Sequence, residues 1–311
     1  MEAVINSILP VFALIVIGKC LHYYRFFKDD FFKQCNDLVY YIALPSFLFI
    51  SAAKSSPQEA LGTFKFSLVL IFSATICACV GLLLSKQFKF SKAQTATVAH
   101  VAFRGNLAYA GMPVIFLLFT AKSYSEADLA LAVILILPVI IFYNVFALFL
   151  CMRGSSCKDS QSMKNVGLQI AKNPLIISSI LGLICADGRV PIPNFAETTF
   201  QSLGKMSFPL VLISLGASLS FSQSRKIFKE SLMVASLKCI VSPMITYGLL
   251  QFLEPNEAQL NAVMIYAACP SAVSSYIFTT RFGGWTELNS SAVVLSTIMS
   301  LPVMSVLIYI L

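Results

Sequence analysis

Arg104 is the only Asp, Glu, Lys or Arg residue in the otherwise uncharged segment 93–121. A cation in the middle of a membrane costs roughly 2.5–3.5 kcal/mol on insertion scales, so it needs a partner or a ligand. The acidic residues closest to apolar segments all fall at segment ends, namely Asp37, Glu197, Glu230 and Glu257. The pattern indicates that Arg104 binds an anion. The alternative is a guanidinium that reaches the membrane surface or bonds to free backbone carbonyls.

Two apolar segments carry residues that interrupt helices. Gly105, Gly111 and Pro113 follow Arg104, and Pro270 lies in the middle of a second segment. An interior proline alone costs a helix about 3 kcal/mol, so both helices should be broken. Each proline suits the first position of a new half-helix, whose N-terminus carries a partial positive charge. Two such ends facing each other would favour an anion, and the alternative is a pair of proline kinks with no ligand.

The predicted substrate-binding residues surround these two breaks: Arg104, Asn106, Tyr109, Pro113, Asn144, Pro270, Ser271, Ser274 and Ser275. The neutral polar members also suit ordinary hydrogen bonds between helices. Three secondary candidates are Lys205, Lys238 and His100; both lysines can extend to a membrane interface, and the histidine suits packing or proton transfer. No catalytic set, metal-ligand spacing or cofactor motif is present, so we expect no enzyme, metal site or cofactor.

The composition of the 311 residues requires a largely lipid environment. Hydrophobic residues make up 58% and charged residues 12%, against about 25% charged residues in soluble domains. The mean hydropathy is +0.82. These values exclude soluble enzymes, and the long continuous runs exclude a β-barrel. Ten membrane spans are predicted, at 3–18, 38–53, 66–85, 93–121, 129–152, 174–186, 206–224, 230–253, 258–280 and 288–311.

The lysines and arginines indicate the orientation of these spans. Loops that follow odd-numbered spans hold fifteen of them, and loops that follow even-numbered spans hold four. By the positive-inside rule the first set is cytoplasmic, and both termini lie on the outer side of the cytoplasmic (inner) membrane. The net charge of +8 therefore reflects topology. Because the basic residues form no clustered face, no nucleic-acid partner is expected.

Prolines at a constant offset indicate an internal duplication. Pairs of them are 164 residues apart, namely Pro10 with Pro174, Pro45 with Pro209, and Pro138 with Pro302. Pro113 and Pro270 are 157 apart, which predicts a seven-residue difference in length between the halves. Each half has five spans, so the second is inverted relative to the first. The predicted fold is an all-α membrane protein with two inverted five-helix repeats, 1–152 and 173–311, a cytoplasmic linker at 153–172, and broken helices 4 and 9.

Short motifs recur through the whole sequence: Ile8-Leu9-Pro10-Val11, Ala43-Leu44-Pro45, Arg104-Gly105-Asn106, Gly111-Met112-Pro113, Lys172-Asn173-Pro174-Leu175-Ile176, Leu215-Gly216-Ala217 and Cys269-Pro270-Ser271-Ala272. In these motifs the chain resembles the auxin efflux carrier family in its short bacterial form. The resemblance implies a scaffold of helices 1, 2, 6 and 7 and a moving transport domain of helices 3–5 and 8–10, with helices 4 and 9 crossing at their breaks.

The resemblance also carries over some residues and a substrate class. The family's asparagine before the crossing maps to Asn106 and its two prolines map to Pro113 and Pro270, but serines stand beside Pro270 where the family has a second asparagine. Family members carry organic anions, namely auxin in plants and malate, malonate or related dicarboxylates in bacteria. A homodimer is implied as well.

The sequence therefore predicts a secondary transporter or facilitator of a small organic anion that works by alternating access within the lipid bilayer. The coupling ion, a proton or sodium, is left open. One alternative is a cation/proton antiporter of similar inverted-repeat fold, which would need a membrane-embedded carboxylate. The other is an anion sensor that binds its ligand without transporting it.

Overall fold

The computed structural model describes residues 2–154, 168, 171–186, 190–218 and 225–311. This part of the chain is helical, which confirms the predicted all-α class. Its helices are α1 (Glu2–Tyr23), α2 (Asp29–Leu38), α3 (Leu44–Ala53), α4 (Pro57–Gln87), α5 (Lys92–Phe103), α6 (Met112–Ala121), α7 (Glu126–Gly154), α8 (Pro174–Cys185), α9 (Asn194–Ser218), α10 (Phe228–Ser236), α11 (Ser242–Leu250), α12 (Glu257–Ala268), α13 (Ser275–Arg281) and α14 (Thr286–Ile310).

Several helical segments have the length and apolar composition of membrane spans. Within the described residues, five reach both criteria: Asp30–Ala53, Ala60–Gln87, Glu126–Gly154, Phe228–Leu250 and Thr286–Ile310. Shorter apolar helices lie at Leu9–Tyr23, Leu107–Ala121 and Pro174–Cys185. Since about 20 apolar residues cross the hydrocarbon core, the chain is an integral membrane protein.

The described helices divide into two compact units. The first comprises residues 1–65, 108–137 and 169–219, and the second comprises 66–107, 138–168 and 220–311. In the first unit α1 packs on α9 and α6, and α3 packs on α8 and α9. Much of the predicted linker, 155–167 with 169 and 170, lies outside the described residues. The predicted repeat and domain boundaries stay a prediction.

Glycines allow α1 and α9 to approach each other closely. A methyl group on Gly18 would overlap the carbonyl oxygen of Ile213, and one on Gly216 would overlap the carbonyl oxygen of Ile15. Each of the two glycines thus lies against the backbone of the facing helix. Small residues at such contacts are a common basis of helix association in membranes, where close van der Waals packing replaces the hydrophobic effect.

The second unit is built around a core shared by α5, α10 and α14. Val98, Val101 and Ala102 of α5 pack with Val234 of α10 and with residues of α14, and all of them are buried. α12 and α13 pack on α14 as well. Because these contacts hold the last turn of α5, they position the residues that follow it, which begin with Arg104.

Three prolines are preceded by a π-helical turn. The turns are Val39–Ala43, Leu107–Gly111 and Leu237–Val241, and in each case the proline is the second residue after the turn (Pro45, Pro113 and Pro243). A proline ring clashes with the carbonyl four residues earlier, which here belongs to the turn. A wider turn moves that carbonyl aside, so the chain continues as a helix beyond each proline.

Gly216→Ala should lower the thermal unfolding temperature of the purified protein. The added methyl would overlap backbone atoms of Ile15, which cannot move aside as a flexible side chain can. Overpacking of this kind costs about 1–3 kcal/mol. Gly248→Ala is the matched control, since a methyl on the exposed Gly248 of α11 has no neighbour within 4 Å. That change should be neutral or stabilise by about 0.5–1 kcal/mol. Equal effects of the two changes would contradict the close contact of α1 and α9.

Candidate functional site

The two helices that lead into the predicted breaks, α5 and α12, share one local design. α5 begins after Ser91, whose side chain accepts the N–H of Gln94 while the Gln94 side chain accepts the N–H of Ser91. α12 begins after Asn256 with the same reciprocal pair to Gln259. Both capping boxes fix where a helix starts. Both helices are twelve residues long, and they end 165 residues apart in sequence.

This equality places the predicted difference in length between the halves after the two breaks. α5 and α12 end 165 residues apart, within one residue of the offset of the other proline pairs, whereas α7 and α14 begin 160 residues apart. Pro270 is the second residue after α12, whereas Pro113 is the tenth residue after α5 and lies inside α6. The two prolines therefore do not hold equivalent positions.

Beyond α5 and α12 the two chain segments pair with each other. Gly105 forms an antiparallel bridge with Ser271. The N–H of Asn106 donates to the carbonyl of Pro270 at 2.8 Å, and the N–H of Ala272 donates at 2.8 Å to the carbonyl of the residue before Gly105. We refer to these paired segments, 104–106 and 270–272, as the crossover. The prediction that two helices break and meet is confirmed.

The manner of their meeting differs from the prediction. Pro270 was expected to begin the second half-helix, but α13 begins five residues later, at Ser275. The residue before a proline avoids helical angles, and Cys269 accordingly has ψ 144°. Extended backbone, and not a pair of helix N-termini, therefore meets at the crossover.

Two carbonyls that the breaks release from the helical pattern find side-chain donors. In an unbroken helix the carbonyl of Val101 would accept from residue 105, but it accepts from the hydroxyl of Ser271 at 3.0 Å. The carbonyl of Ala267 would accept from the N–H of Ser271, which donates instead to the Ser296 hydroxyl at 3.0 Å. Lys238 fills the vacant place, since its Nζ donates to Ala267 at 2.6 Å.

Arg104 is 7% exposed and has neutral partners. Nη1 donates to the carbonyl of Tyr143 at 3.2 Å, and Nη2 donates to Oδ1 of Asn144 at 2.7 Å. The guanidinium carbon lies 4.9 Å from the ring centre of Phe278. The amide of Asn144 is fixed in turn, because it donates to the carbonyl of Ile140 at 3.0 Å. Tyr143 lies inside α7, so its carbonyl is not one that a break has freed, and anion binding by Arg104 stays a prediction. Two of the five N–H donors of the guanidinium make these bonds.

Lys238 is the second buried cation at the crossover, with 1% of its surface exposed. The expectation that it extends to a membrane interface is wrong, because its ammonium group points inward to Ala267. A methyl group on Gly105 would lie 3.0 Å from Cε of Lys238 and 3.4 Å from Nζ. The glycine therefore gives the lysine room beside the crossover backbone.

His100 lies one turn before Arg104 and is fully buried. Its ring contacts Phe103 and Phe278 at centroid distances of 5.7 and 5.5 Å, and its Nδ1 is 3.7 Å from the sulfur of Cys151. Within the described part of the chain, Nε2 has no hydrogen-bond partner. His100 and Arg104 thus contact the same ring, that of Phe278.

The predicted serines differ in their surroundings. The Ser271 hydroxyl is committed to Val101, as described above. The hydroxyl of Ser275 is buried and donates to Oδ1 of Asn289 at 2.9 Å, and the amide of Asn289 donates to Thr279 at 2.7 Å. Ser274 is exposed at the N-cap of α13, where its side chain makes no cap hydrogen bond. Ser271 and Ser275 thus stabilise the structure, and Ser274 remains accessible.

Three further candidates belong to the first unit. Tyr109 is half-buried in the π-helical turn before α6, Pro113 is the second residue of α6, and Lys205 is exposed on α9. Residues that the sequence analysis missed are Phe278, Ser296 and Asn289. For Asn289 and Ser296 the available signal was the series of small polar residues in the otherwise apolar α14.

Among the described residues, no carboxylate pairs with Arg104 or Lys238. Described ion pairs join Lys54 to Glu126 at 2.6 Å and to Glu197 at 3.2 Å, within the first unit. Burial lowers the pKa of Lys54, but the hydrogen bonds and charges of the two glutamates raise this pKa by more, so Lys54 stays protonated at neutral pH. At the crossover the described partners of both cations are carbonyls and an amide. These described contacts therefore supply no negative charge to either side chain.

Comparison with known proteins gives one family match and several related proteins, two of which match nearly the whole chain. A family model described as a membrane transport protein matches residues 3–308. An uncharacterized transporter of Methanocaldococcus jannaschii is 25% identical over 305 residues, which are 96% of each chain. A Rhizobium meliloti protein named "Putative malonate transporter" is 22% identical and covers 99% of this chain and 96% of its own. Auxin efflux carrier component 6 of Arabidopsis thaliana is 26% identical over 47% of this chain and 26% of its own.

Ser275→Ala should destabilise the protein, because it leaves the buried Oδ1 of Asn289 without the hydroxyl donor. An unsatisfied buried group costs about 1–3 kcal/mol. The neighbouring Ser274→Ala is the control, and as a surface change it should stay within about 0.5 kcal/mol. Thermal unfolding of both variants in detergent measures the difference. A Ser274 variant that is as unstable as the Ser275 variant would contradict the described network.

Proposed function

Because the chain belongs to the membrane transport protein family, we propose that it carries a small organic anion across the cytoplasmic membrane. The proposed substrate class is the carboxylates, with short dicarboxylates such as malonate or malate preferred over an auxin-like monocarboxylate. The proposed mechanism is alternating access, in which the binding site opens to one side of the membrane at a time.

The observation that carries this proposal is the charge at the crossover. Arg104 and Lys238 are both buried, and their described partners are neutral oxygens. Burying a charge without an opposite charge is expensive, so an anion that binds there recovers part of that cost. Arg104 keeps N–H donors beyond its two bonds, and a guanidinium fork fits a carboxylate.

Two positive charges favour a substrate with two negative charges. A dicarboxylate would neutralise the pair, whereas a monocarboxylate would leave one charge uncompensated. The name of the Rhizobium meliloti relative, which refers to malonate, supports the same class. The exposed Ser274 beside the crossover is the neutral residue we assign to orienting the substrate. Asn106, whose backbone belongs to the crossover, is assigned the same role by resemblance.

For the whole chain we propose ten membrane spans in two inverted five-helix repeats, with both termini on the outer side. The equal, identically capped α5 and α12 support the duplication. We further propose that predicted spans 1, 2, 6 and 7 form a scaffold, that predicted spans 3–5 and 8–10 form the moving transport domain, and that the protein is a homodimer. The first compact unit holds spans 1, 2 and 6 and most of span 7, but it also includes residues 108–137 of spans 4 and 5.

Arg104→Gln should abolish most of the anion transport, since it removes the charge and the carboxylate fork. Purified protein in liposomes preloaded with malonate is assayed for counterflow of labelled malonate, malate and indole-3-acetate. We expect saturable uptake of a dicarboxylate by the unmodified protein. A loss of at least about tenfold is expected for Arg104→Gln, the size of one hydrogen bond to a charged group.

Arg281→Ala is the matched control, because Arg281 is an exposed arginine at the end of α13. Its variant should transport at the unmodified rate, and thermal unfolding checks that all variants are folded. A folded Arg104→Gln variant with normal counterflow rejects the site. Ligand-induced thermal stabilisation without counterflow would indicate a sensor, and sodium-driven proton flux would indicate an antiporter.

A further inference from the structure

We infer that the ammonium group of Lys238 is a built-in cation at the crossover, which takes the place that a bound coupling cation would otherwise hold. The inference extends the proposed function, because it concerns how the anion site obtains its positive charge. It makes transport independent of any inorganic cation that binds at the crossover.

Lys238 contacts a carbonyl that the break has released from its helical partner. The carbonyl of Ala267 belongs to the last turn of α12, and the break after α12 removes its usual donor. Carbonyls at the C-terminal end of a broken helix carry partial negative charge, and in transporters they commonly coordinate sodium ions or protonated groups. Nζ of Lys238 lies 2.6 Å from this oxygen. A covalently attached cation therefore occupies a position suited to a diffusible one.

An ion pair does not account for the burial of Lys238. None of the described carboxylates pairs with it. A lysine that forms a salt bridge contacts a carboxylate. The ammonium group of Lys238 instead contacts the Ala267 carbonyl at the break.

A π-helical turn and a glycine make room for the Lys238 side chain. Lys238 lies in the π-helical turn Leu237–Val241, which the following Pro243 requires. Its side chain then passes Gly105, where a methyl group would be only 3.0 Å from Cε. The glycine on the other strand of the crossover therefore allows the ammonium group to reach Ala267. Lys238 thus lies between two parts of the crossover region: it is hydrogen-bonded to Ala267 of α12, and its side chain lies beside Gly105, the residue after Arg104.

Lys238→Ala tests the inference by chemical rescue. The change deletes three methylenes and the ammonium group, a fragment that n-propylammonium restores. The thermal unfolding temperature of Lys238→Ala should fall below that of the unmodified protein and should rise with n-propylammonium concentration, since a ligand of the native state stabilises it. Tetramethylammonium, which has no N–H donor, should have no such effect. Lys238→Met, which fills the space without a charge, should not respond to n-propylammonium.

Transport gives the second measurement. Malonate counterflow by the unmodified protein should be unchanged when choline replaces sodium. Counterflow by Lys238→Ala should fall by at least about tenfold, as for one lost hydrogen bond to a charged group, and n-propylammonium should restore it. The exposed Lys229→Ala is the control for a lysine change in the same helical segment and should behave as the unmodified protein.

The outcomes separate this inference from the proposed function. Rescue of stability by n-propylammonium without any malonate transport supports the cation site and rejects the substrate assignment. Malonate transport that requires sodium in the unmodified protein overturns the built-in cation. A folded Lys238→Ala variant with unchanged stability, or one that n-propylammonium stabilises no more than it does Lys238→Met, overturns it as well.

Discussion

The structure of the second unit depends on one constraint, which is that backbone groups exposed by a broken helix must find partners where no water is available. The extended segments after α5 and α12 meet this requirement by bonding to each other. Two main-chain bonds join them, and two freed carbonyls, those of Val101 and Ala267, take donors from Ser271 and Lys238. The break and its repair are therefore a single arrangement, and neither segment could adopt it without the other.

The hydrogen bonds to these freed backbone groups also determine the electrostatics of the site. A lysine that satisfies a carbonyl contributes its charge to the crossover without being neutralised, and Arg104 does the same through Tyr143 and Asn144. Carbonyl and amide oxygens orient a cation but do not cancel it. The anion site that we propose therefore rests on the same bonds that make the broken helices tolerable in a membrane.

Local sequence determines where the breaks occur. A reciprocal cap starts each of the two helices, and twelve residues later each helix ends, so the breaks fall at the same distance from the start. Pro270 then enforces an extended residue before it, whereas Pro113 acts later, inside α6 and behind a π-helical turn. Two prolines that look equivalent in sequence therefore act differently, because their distances from the preceding cap differ.

The sequence by itself determined the helical membrane class, the two interruptions and the isolated Arg104, because hydropathy, proline chemistry and the cost of a buried charge are local properties. Only the tertiary structure decided what each polar group contacts. Ser271 and Val101 are 170 residues apart, and Lys238 and Ala267 are 29 apart, so these pairs depend on how the helices pack. For the same reason the sequence could not distinguish the exposed Ser274 from its buried neighbour Ser275, since the two differ only in the helix face that α14 covers.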